Sequence, residues 1–315
     1  MSYELRVVAV GLAVFAFAGV VAGLVVPVLV TRLRNSSPVV RARQLVMLRL
    51  IPAVFSLAAG LLVTVSFLGF EPRTDENIGW MVPAIGVFGA VVLAGAAWRF
   101  TRIATATRRI ARTWFTGARP VALDGISIPA FQTRSEFPIV AVVGVWRPKL
   151  IVATSVIDAC SAEELRAILA HEQGHLDRRD NLRRLLMSVA PDALAWFPAS
   201  DRLLRSWRAA TEEVADDHAA RAGANGRLHL ASALVKVARL AEHAKAADAL
   251  PASTLFCGEN LSARVRRLLG PQSVSERTGR LSWRAVAGAA GLVVASAFAL
   301  QGLQELVEET IHWLP

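Results

Sequence analysis

The chain has 315 residues, of which 54% are hydrophobic, and its mean hydropathy of +0.44 is too high for an ordinary soluble domain. The formal net charge of +10 would suit a nucleic-acid binder, but no nucleic-acid-binding motif accompanies the 28 Lys and Arg and 18 Asp and Glu between residues 99 and 284. The composition therefore predicts a membrane protein whose basic part lies beside anionic lipid headgroups.

Four apolar runs are each close to the ~20 residues that a helix needs to cross a bilayer. They cover residues 5–30, 50–70, 78–97 and 284–303. The first could be a signal peptide, since Ala16-Phe17-Ala18 imitates a cleavage site, but the apolar stretch continues well beyond it, which favours an uncleaved anchor. We expect three transmembrane helices within residues 1–97 and a fourth near the C-terminus.

The charged residues between the runs predict an orientation. Loop 31–44 contains four arginines and no acid, loop 71–79 contains three acids and one arginine, and the tail 304–315 contains three acids and neither Lys nor Arg. Because cytoplasmic loops are rich in Lys and Arg, both termini are expected outside the plasma (inner) membrane and residues 98–283 in the cytosol. Residues 98–119 are expected to form a basic juxtamembrane helix.

Short β-branched runs separated by proline and glycine follow, and they predict a small sheet within residues 120–157. The runs lie around Ile126 and Ile128, at 139–143 and at 150–152. An exposed edge strand of this sheet could hold an extended peptide by main-chain hydrogen bonds, or the sheet could be purely structural. The pattern favours neither alternative.

The next segment carries the clearest chemistry. Ser161 and Glu164 have the spacing of a capping box and predict the start of a helix. On it, His171 and His175 are four residues apart and share one face, so their imidazoles can bind one zinc ion. Glu172 is then close enough to act as the general base for a water beside the metal. The alternative is chance, since this motif occurs at random in about one chain in a hundred of this length.

The helix is predicted to continue past Asp180 into an apolar stretch, residues 185–198. This stretch is short and is interrupted by Pro191 and Asp192, so a re-entrant or interfacial segment is favoured over a full span.

A second helix, predicted over residues 201–222, contains four acids between residues 212 and 217. Glu212 is the candidate third zinc ligand, and Asp216, one turn later, could accept the free ring N–H of a zinc-bound histidine. Glu213 and Asp217 have the same spacing, so the choice between the two pairs stays open, as does a purely solvated acidic face.

No site is predicted for the remaining histidines and cysteines. His229 and His243 lie in a predicted amphipathic helix over 227–249 without partner residues. Cys160 and Cys257 both fall in the cytosolic part, where a disulfide is not expected.

Taken together, these motifs resemble the BlaR/MecR family of membrane zinc metallopeptidases. The elements are H-E-Q-G-H, L-D-R-R-D, an apolar stretch ending in W-F-P, E-E-V-A-D, and a segment at residues 261–269. The E-x-x-A-D element is also similar to that of HtpX and the CAAX-processing proteases. The resemblance covers residues 120–270 by motif and the whole chain by membrane layout.

The resemblance implies a mainly α, polytopic protein with four transmembrane helices and a cytosolic, zincin-like protease domain over residues 120–283 that includes a small β-sheet. It implies zinc on His171, His175 and Glu212, with Glu172 as the base. Five further residues are given lesser roles: Asp216 beside the ligands, Arg178 and Asp180 as structural residues, and His218 and Arg221, from their position near Glu212, as candidates to stabilise the oxyanion.

The predicted function is a zinc metalloendopeptidase that cleaves a cytosolic or membrane-proximal protein in regulatory signalling, such as a winged-helix transcriptional repressor. One alternative is quality control of membrane proteins in the manner of HtpX, and another is a non-catalytic metal-binding scaffold. Family receptors carry a penicillin-binding sensor domain after the last span; only residues 304–315 follow here, so direct β-lactam sensing is not expected.

Overall fold

A computed structural model of the chain describes residues 2–30, 37–70, 79–191, 198–243 and 261–270. These residues form nine helices and four strands. The helices are α1 (Tyr3–Val30), α2 (Pro38–Phe70), α3 (Met81–Phe115), α4 (Thr154–Ala159), α5 (Ala162–Asp177), α6 (Asp180–Val189), α7 (Pro198–Ala219), α8 (Gly226–His243) and α9 (Leu261–Leu269). The strands are β1 (Arg119–Val121), β2 (Ala130–Thr133), β3 (Val140–Val143) and β4 (Lys149–Ala153).

The chain divides into two compact units, and the first contains residues 1–97, 190–203 and 277–315. Within the described residues, three helices are long and apolar enough to cross a membrane, over Tyr3–Gly23, Pro38–Gly69 and Met81–Phe115. α1 packs closely on α2 because Gly60 has no side chain: a Cβ there would lie 2.8 Å from the Gly11 carbonyl oxygen. The predicted fourth span, 284–303, lies outside the described residues.

Helix α2 begins twelve residues before the predicted 50–70. Pro38 is its first residue, where a missing N–H costs no helical hydrogen bond, and no glycine or further proline follows before Pro52. Arg41 and Arg43, predicted to lie in a loop, are therefore helical. The third apolar run and most of the basic segment 98–119 form one continuous helix, α3. The basic segment was predicted to be helical.

The second unit, residues 98–189 and 204–276, contains the sheet and the candidate site. Its strand order is β1-β2-β4-β3, with β2 and β4 parallel and the other two pairs antiparallel. Leu150, Ile151 and Val152 are completely buried on β4, and Ile168 of α5 and Leu230 of α8 belong to the same core. Ile126 and Ile128 precede β2 and are not in a strand.

The predicted continuous helix through Asp180 is wrong, because α5 ends at Asp177 and α6 begins at Asp180. Arg179 has a left-handed φ of 52°, which a helix interior does not allow. α7 begins three residues earlier than predicted. α8 is described to His243, so residues 244–249 of the predicted 227–249 helix, like 192–197 of the interfacial stretch, lie outside the described residues.

Candidate metal centre

The N-terminus of α5 is fixed by a capping box that also contacts α8. The Ser161 N–H donates to Glu164 Oε2 at 2.7 Å, and the Glu164 N–H donates to Ser161 Oγ at 3.2 Å. From α8, the Ser232 hydroxyl donates to Glu164 Oε1 at 2.6 Å and the Lys236 ammonium to Oε2 at 2.7 Å. These bonds fix where α5 begins and hence where its later turns lie against the core.

Three turns later, His171 and His175 project from one face of α5. His171 is fully buried, and only 12% of the His175 side chain is exposed. The two Nε2 atoms are 3.2 Å apart. Glu212 of α7 places Oε2 3.5 Å from His171 Nε2 and Oε1 3.5 Å from His175 Nε2. One ligand atom from each of these three residues therefore lies within 4.8 Å of the others, close enough to share one metal ion.

The close approach of α7 to α5 depends on a glycine between the histidines. A Cβ on Gly174 would lie 3.2 Å from the Cβ and 3.3 Å from the Cγ of His218, and 3.5 Å from the Cα of Ala215. Contacts of 3.2–3.3 Å are tighter than ordinary van der Waals distance, so a larger residue would push the helices apart. Gly174 thus allows Glu212, one turn before Ala215, to reach the histidines.

Each histidine also contacts a carboxylate through its other ring nitrogen. His171 Nδ1 lies 3.1 Å from Asp216 Oδ1, and His175 Nδ1 lies 2.8 Å from Asp180 Oδ2. A proton on each Nδ1 leaves both Nε2 lone pairs directed at the point between the rings, the arrangement that orients metal-bound histidines. Two imidazole nitrogens and one carboxylate oxygen are a donor set typical of catalytic zinc sites, so the residues present fit a zinc ion.

The electrostatics of this cluster favour a positive charge at its centre. Burial lowers the pKa of His175, but hydrogen bonds with Asp180 and Glu212 outweigh burial and raise it to about 10. Burial likewise opposes ionisation of Glu212, yet its contacts with His171 and His175 hold its pKa well below the usual range. The three groups are thus poised to bind a cation, with a proton as the competitor of a metal ion.

Arg264 of α9 neutralises the carboxylates behind the histidines. Its Nε donates to Asp216 Oδ2 at 3.0 Å, its Nη2 to Asp216 Oδ1 at 2.6 Å, and its Nη1 lies 3.0 Å from Glu212 Oε2. The arginine is 7% exposed. Arg264 is not among the site residues predicted from the sequence, which indicated only the segment 261–269 as a whole. Nothing local relates an arginine to acids about 50 positions earlier.

Arg178 and Asp180 lie at the break between α5 and α6. Arg178 Nη2 donates to Asp180 Oδ2 at 3.2 Å and approaches the Thr211 carbonyl oxygen at 3.4 Å. Because Asp180 begins a new helix, its side chain turns back to His175, which it could not do as easily from a continuous α5. The break between α5 and α6 therefore allows Asp180 to contact a candidate metal ligand.

Glu172 is buried, 1% exposed, and its Oε1 has no hydrogen-bond partner among the described residues. Burial raises the pKa of its carboxyl group, and the neighbouring His175 and His171 offset only part of this. A buried carboxylate with a free oxygen costs stability unless another molecule binds it. Glu172 can therefore accept a hydrogen bond, and then a proton, from a water molecule beside the metal ligands.

A pocket opens next to Glu172 and His175. Its other walls are the turn between β3 and β4 and the start of α6, and its lining includes Val142, Gly144, Pro148, Asn181 and Arg184. The His218 and Arg221 side chains, considered from the sequence as oxyanion candidates, are not among the lining residues: His218 packs on Gly174, and Arg221 is exposed. Arg184, which is half-buried, also lines this pocket, and no sequence pattern indicated it.

Strand β3 is an edge of the described sheet, and α6 contacts it. The Asn181 side-chain amide donates to the Val142 carbonyl oxygen at 3.0 Å and to the Gly144 carbonyl oxygen at 3.1 Å. Peptide binding along this edge stays a prediction.

Two histidines one helical turn apart, a glutamate directly after the first, and a carboxylate from a second helix define the class of metal-dependent peptidases with an H-E-x-x-H helix. Residues 126–268 match the family model of the BlaR1 peptidase M56, a family of membrane-associated metallopeptidases. The match confirms the resemblance drawn from the motifs. No curated protein and no solved structure matches the chain.

Proposed function

We propose that this protein is a membrane zinc metalloendopeptidase that cleaves a cytosolic or membrane-proximal protein. One observation carries the proposal: His171, His175 and Glu212 converge beside the buried, unpartnered Oε1 of Glu172. A metal-binding scaffold would need the three ligands, but it would have no use for a carboxylate buried at this cost.

In the proposed reaction, zinc would be held by His171, His175 and Glu212, and it would supply Lewis-acid polarisation and a water of lowered pKa. Glu172 Oε1 accepts the proton of the attacking water and later donates it to the leaving amine. Asp216 and Asp180 keep the two imidazoles in the tautomer that leaves Nε2 free. The peptide C–N bond breaks, and water supplies the hydroxyl of the new carboxyl group.

The test is to purify the full chain in detergent and compare Glu172→Gln with the wild type and with Glu163→Gln. Glu163 lies on the same helix with half of its side chain exposed. Zinc content is measured by mass spectrometry, and cleavage with fluorescein-labelled casein. We expect one zinc per chain in all three proteins and a loss of cleavage in Glu172→Gln alone, because no other group then accepts the proton. Cleavage by Glu172→Gln at the wild-type rate would favour the scaffold.

We further propose that the substrate is a regulatory protein, such as a winged-helix repressor, and that the reaction serves signalling. The support is the M56 match, since the motif-based resemblance points to receptors that inactivate a repressor. Cells producing Glu172→Gln should accumulate one or a few uncleaved regulators, detected by quantitative proteomics. Accumulation of many damaged membrane proteins would instead favour HtpX-like quality control.

A further inference from the structure

Arg184 is a half-buried arginine that lines the pocket beside Glu172 and His175. It lies on α6 one turn after Asp180, so the helix that orients His175 also brings this guanidinium to the pocket. The turn from Gly144 to Pro148 lines the same pocket. A substrate bound between that turn and the metal ligands would therefore meet Arg184.

The guanidinium has no partner to explain its position. Among the described residues Arg184 forms no hydrogen bond or ion pair, and its Nε is buried. Three other arginines around the site are paired: Arg178 with Asp180, Arg264 with Asp216, and Arg267 with Asp217. Burial and the nearby Arg208 lower the pKa of Arg184, while the charges of Glu212, Asp180 and Glu172 oppose this shift. A buried guanidinium nitrogen without a hydrogen-bond acceptor costs stability, unless a ligand supplies the acceptor.

Peptide hydrolysis creates such an acceptor. When the water oxygen bonds to the scissile carbon, the C=O π electrons move to the carbonyl oxygen, which becomes an oxyanion, and Glu172 holds the released proton. When the tetrahedral carbon collapses, the C=O bond forms again, the C–N bond breaks, and the proton passes to the amine. Donors placed at the oxyanion accelerate this reaction because they bind the transition state more strongly than the substrate.

We propose that Arg184 is the residue of this chain that stabilises the oxyanion, donating hydrogen bonds from its guanidinium to the scissile carbonyl oxygen. The inference rests on the proposed peptidase function and adds to it the group that the motifs did not supply. Arginine suits the role because its charge is permanent and its planar N–H groups can bond one oxygen in a fixed geometry.

The test compares Arg184→Gln and Arg184→Lys with wild type and with Arg166→Gln, all as full-length protein in detergent. Arg166 is a matched control because it lies on α5 with 63% of its side chain exposed. The substrate is a fluorogenic peptide derived from casein, and the transition-state mimic is a phosphonamidate of the same sequence. Four quantities are measured: zinc content, kcat and KM, the Kd of the mimic, and the Kd of the peptide for the same variants in a Glu172→Gln background.

We expect Arg184→Gln to keep its zinc, to lower kcat by about 100-fold and to raise the Kd of the mimic by about the same factor. The Kd of the uncleaved peptide should change by less than about threefold, since the carbonyl carries no full charge before attack. Arg184→Lys should fall between Gln and wild type, because it keeps the charge without the planar fork. Arg166→Gln should match wild type.

Three results would overturn the inference about Arg184 without contradicting the proposed peptidase function. One is an unchanged kcat in Arg184→Gln; another is an equal loss of affinity for peptide and mimic, which would make Arg184 a residue that binds the ground state. Loss of zinc from both Arg184 variants would also overturn it, in favour of a structural role. If wild type cleaves neither casein nor the peptide, the proposed function itself fails, and that outcome is separate from the other three.

Discussion

The guanidinium of Arg264 forms a two-pronged contact with the carboxylate of Asp216, at 3.0 and 2.6 Å. It reaches Glu212 as well, at 3.0 Å. Helix α9 thereby contributes one buried positive charge to a cluster that contains Glu212, Asp216 and Glu172. Arg264 thus adds to the contacts with His171 and His175 in compensating these acids.

Replacing Arg264 with Gln should therefore make stability depend strongly on zinc. The metal-free variant would retain the carboxylates of Glu212 and Asp216 without this arginine, and loss of one partner of a buried ion pair costs about 3–5 kcal/mol of unfolding free energy. A bound dication would offset much of this cost. We expect the difference in melting temperature between zinc-loaded and EDTA-treated protein to be larger in Arg264→Gln than in the wild type.

Arg266→Gln is the control for this experiment. Arg266 is exposed on the same helix, where its Nε bonds the Ser262 carbonyl oxygen. Its variant should melt like wild type with and without EDTA. An equal fall of both melting temperatures in Arg264→Gln would show that Arg264 supports packing alone.

The two neighbouring glutamates of α7 should behave differently. Glu212→Gln should lower zinc affinity by at least about tenfold, because a neutral amide is a poorer ligand for a divalent cation than a carboxylate. Glu213→Gln should keep zinc and activity, since its side chain is rotated about 100° around the helix. Zinc affinity is measured by competition with a chromophoric chelator. Zinc loss from Glu213→Gln instead would mean that the adjacent register holds the metal.

Glu164 should make the stability of the second unit depend on pH. Burial raises the pKa of its carboxyl group, but hydrogen bonds from Lys236, Ser232 and the Ser161 N–H outweigh burial and lower it below 4.5. A group with a lowered folded-state pKa stabilises the protein above its unfolded-state pKa, and this contribution is lost as the pH falls through the folded-state value. Glu164→Gln should therefore cost about 2 kcal/mol at pH 7.

The measurement is urea unfolding of both proteins in detergent between pH 7 and pH 3. The difference in unfolding free energy between wild type and Glu164→Gln should shrink as the pH falls below 4.5. Glu163→Gln, at the position before it, should have a much smaller effect at every pH, because half of that side chain is exposed to water, which weakens its interactions. A constant difference across the range would mean that ionisation of Glu164 contributes nothing.

The orientation expected from the charges of the loops predicts the result of reporter fusions. A reporter fused at residue 75 should lie outside the cell, and reporters at residues 119 and 240 inside. The exposed arginines of α3, including Arg102, Arg108, Arg109 and Arg112, support the inside position of its C-terminal half. The same side for residues 75 and 240 would contradict the topology. Opposite sides for residues 119 and 240 would show that the stretch 185–198 crosses the membrane.

Much of the site was predictable because it follows from spacing along single helices. His171, Glu172 and His175 lie within one and a half turns of α5, and the capping box at Ser161 is equally local. Glu212 and Asp216 were predictable as a pair on one face of α7. Choosing them over Glu213 and Asp217 required the contacts with the histidines.

What the sequence did not indicate depends on long-range packing. Arg264 reaches Asp216 across 48 positions, and Arg184 matters only because the turn after β3 completes a pocket around it. The break before α6 was missed because arginine is a good helix former, and only the positive φ of Arg179 reveals the turn. The early start of α2 was not predicted, because Arg41 and Arg43 are equally typical of a cytoplasmic loop.

The contact between Asn181 and the edge of β3 has a consequence for the behaviour of many copies in one membrane. The Ile139 carbonyl faces β4, where it accepts from the Ala153 N–H, so strand alternation turns the Val142 carbonyl to the open side. Open strand edges invite pairing with a strand of another chain, and confinement to a bilayer raises the local concentration of copies. By occupying the Val142 and Gly144 carbonyl oxygens, Asn181 makes this edge a poorer template for aggregation.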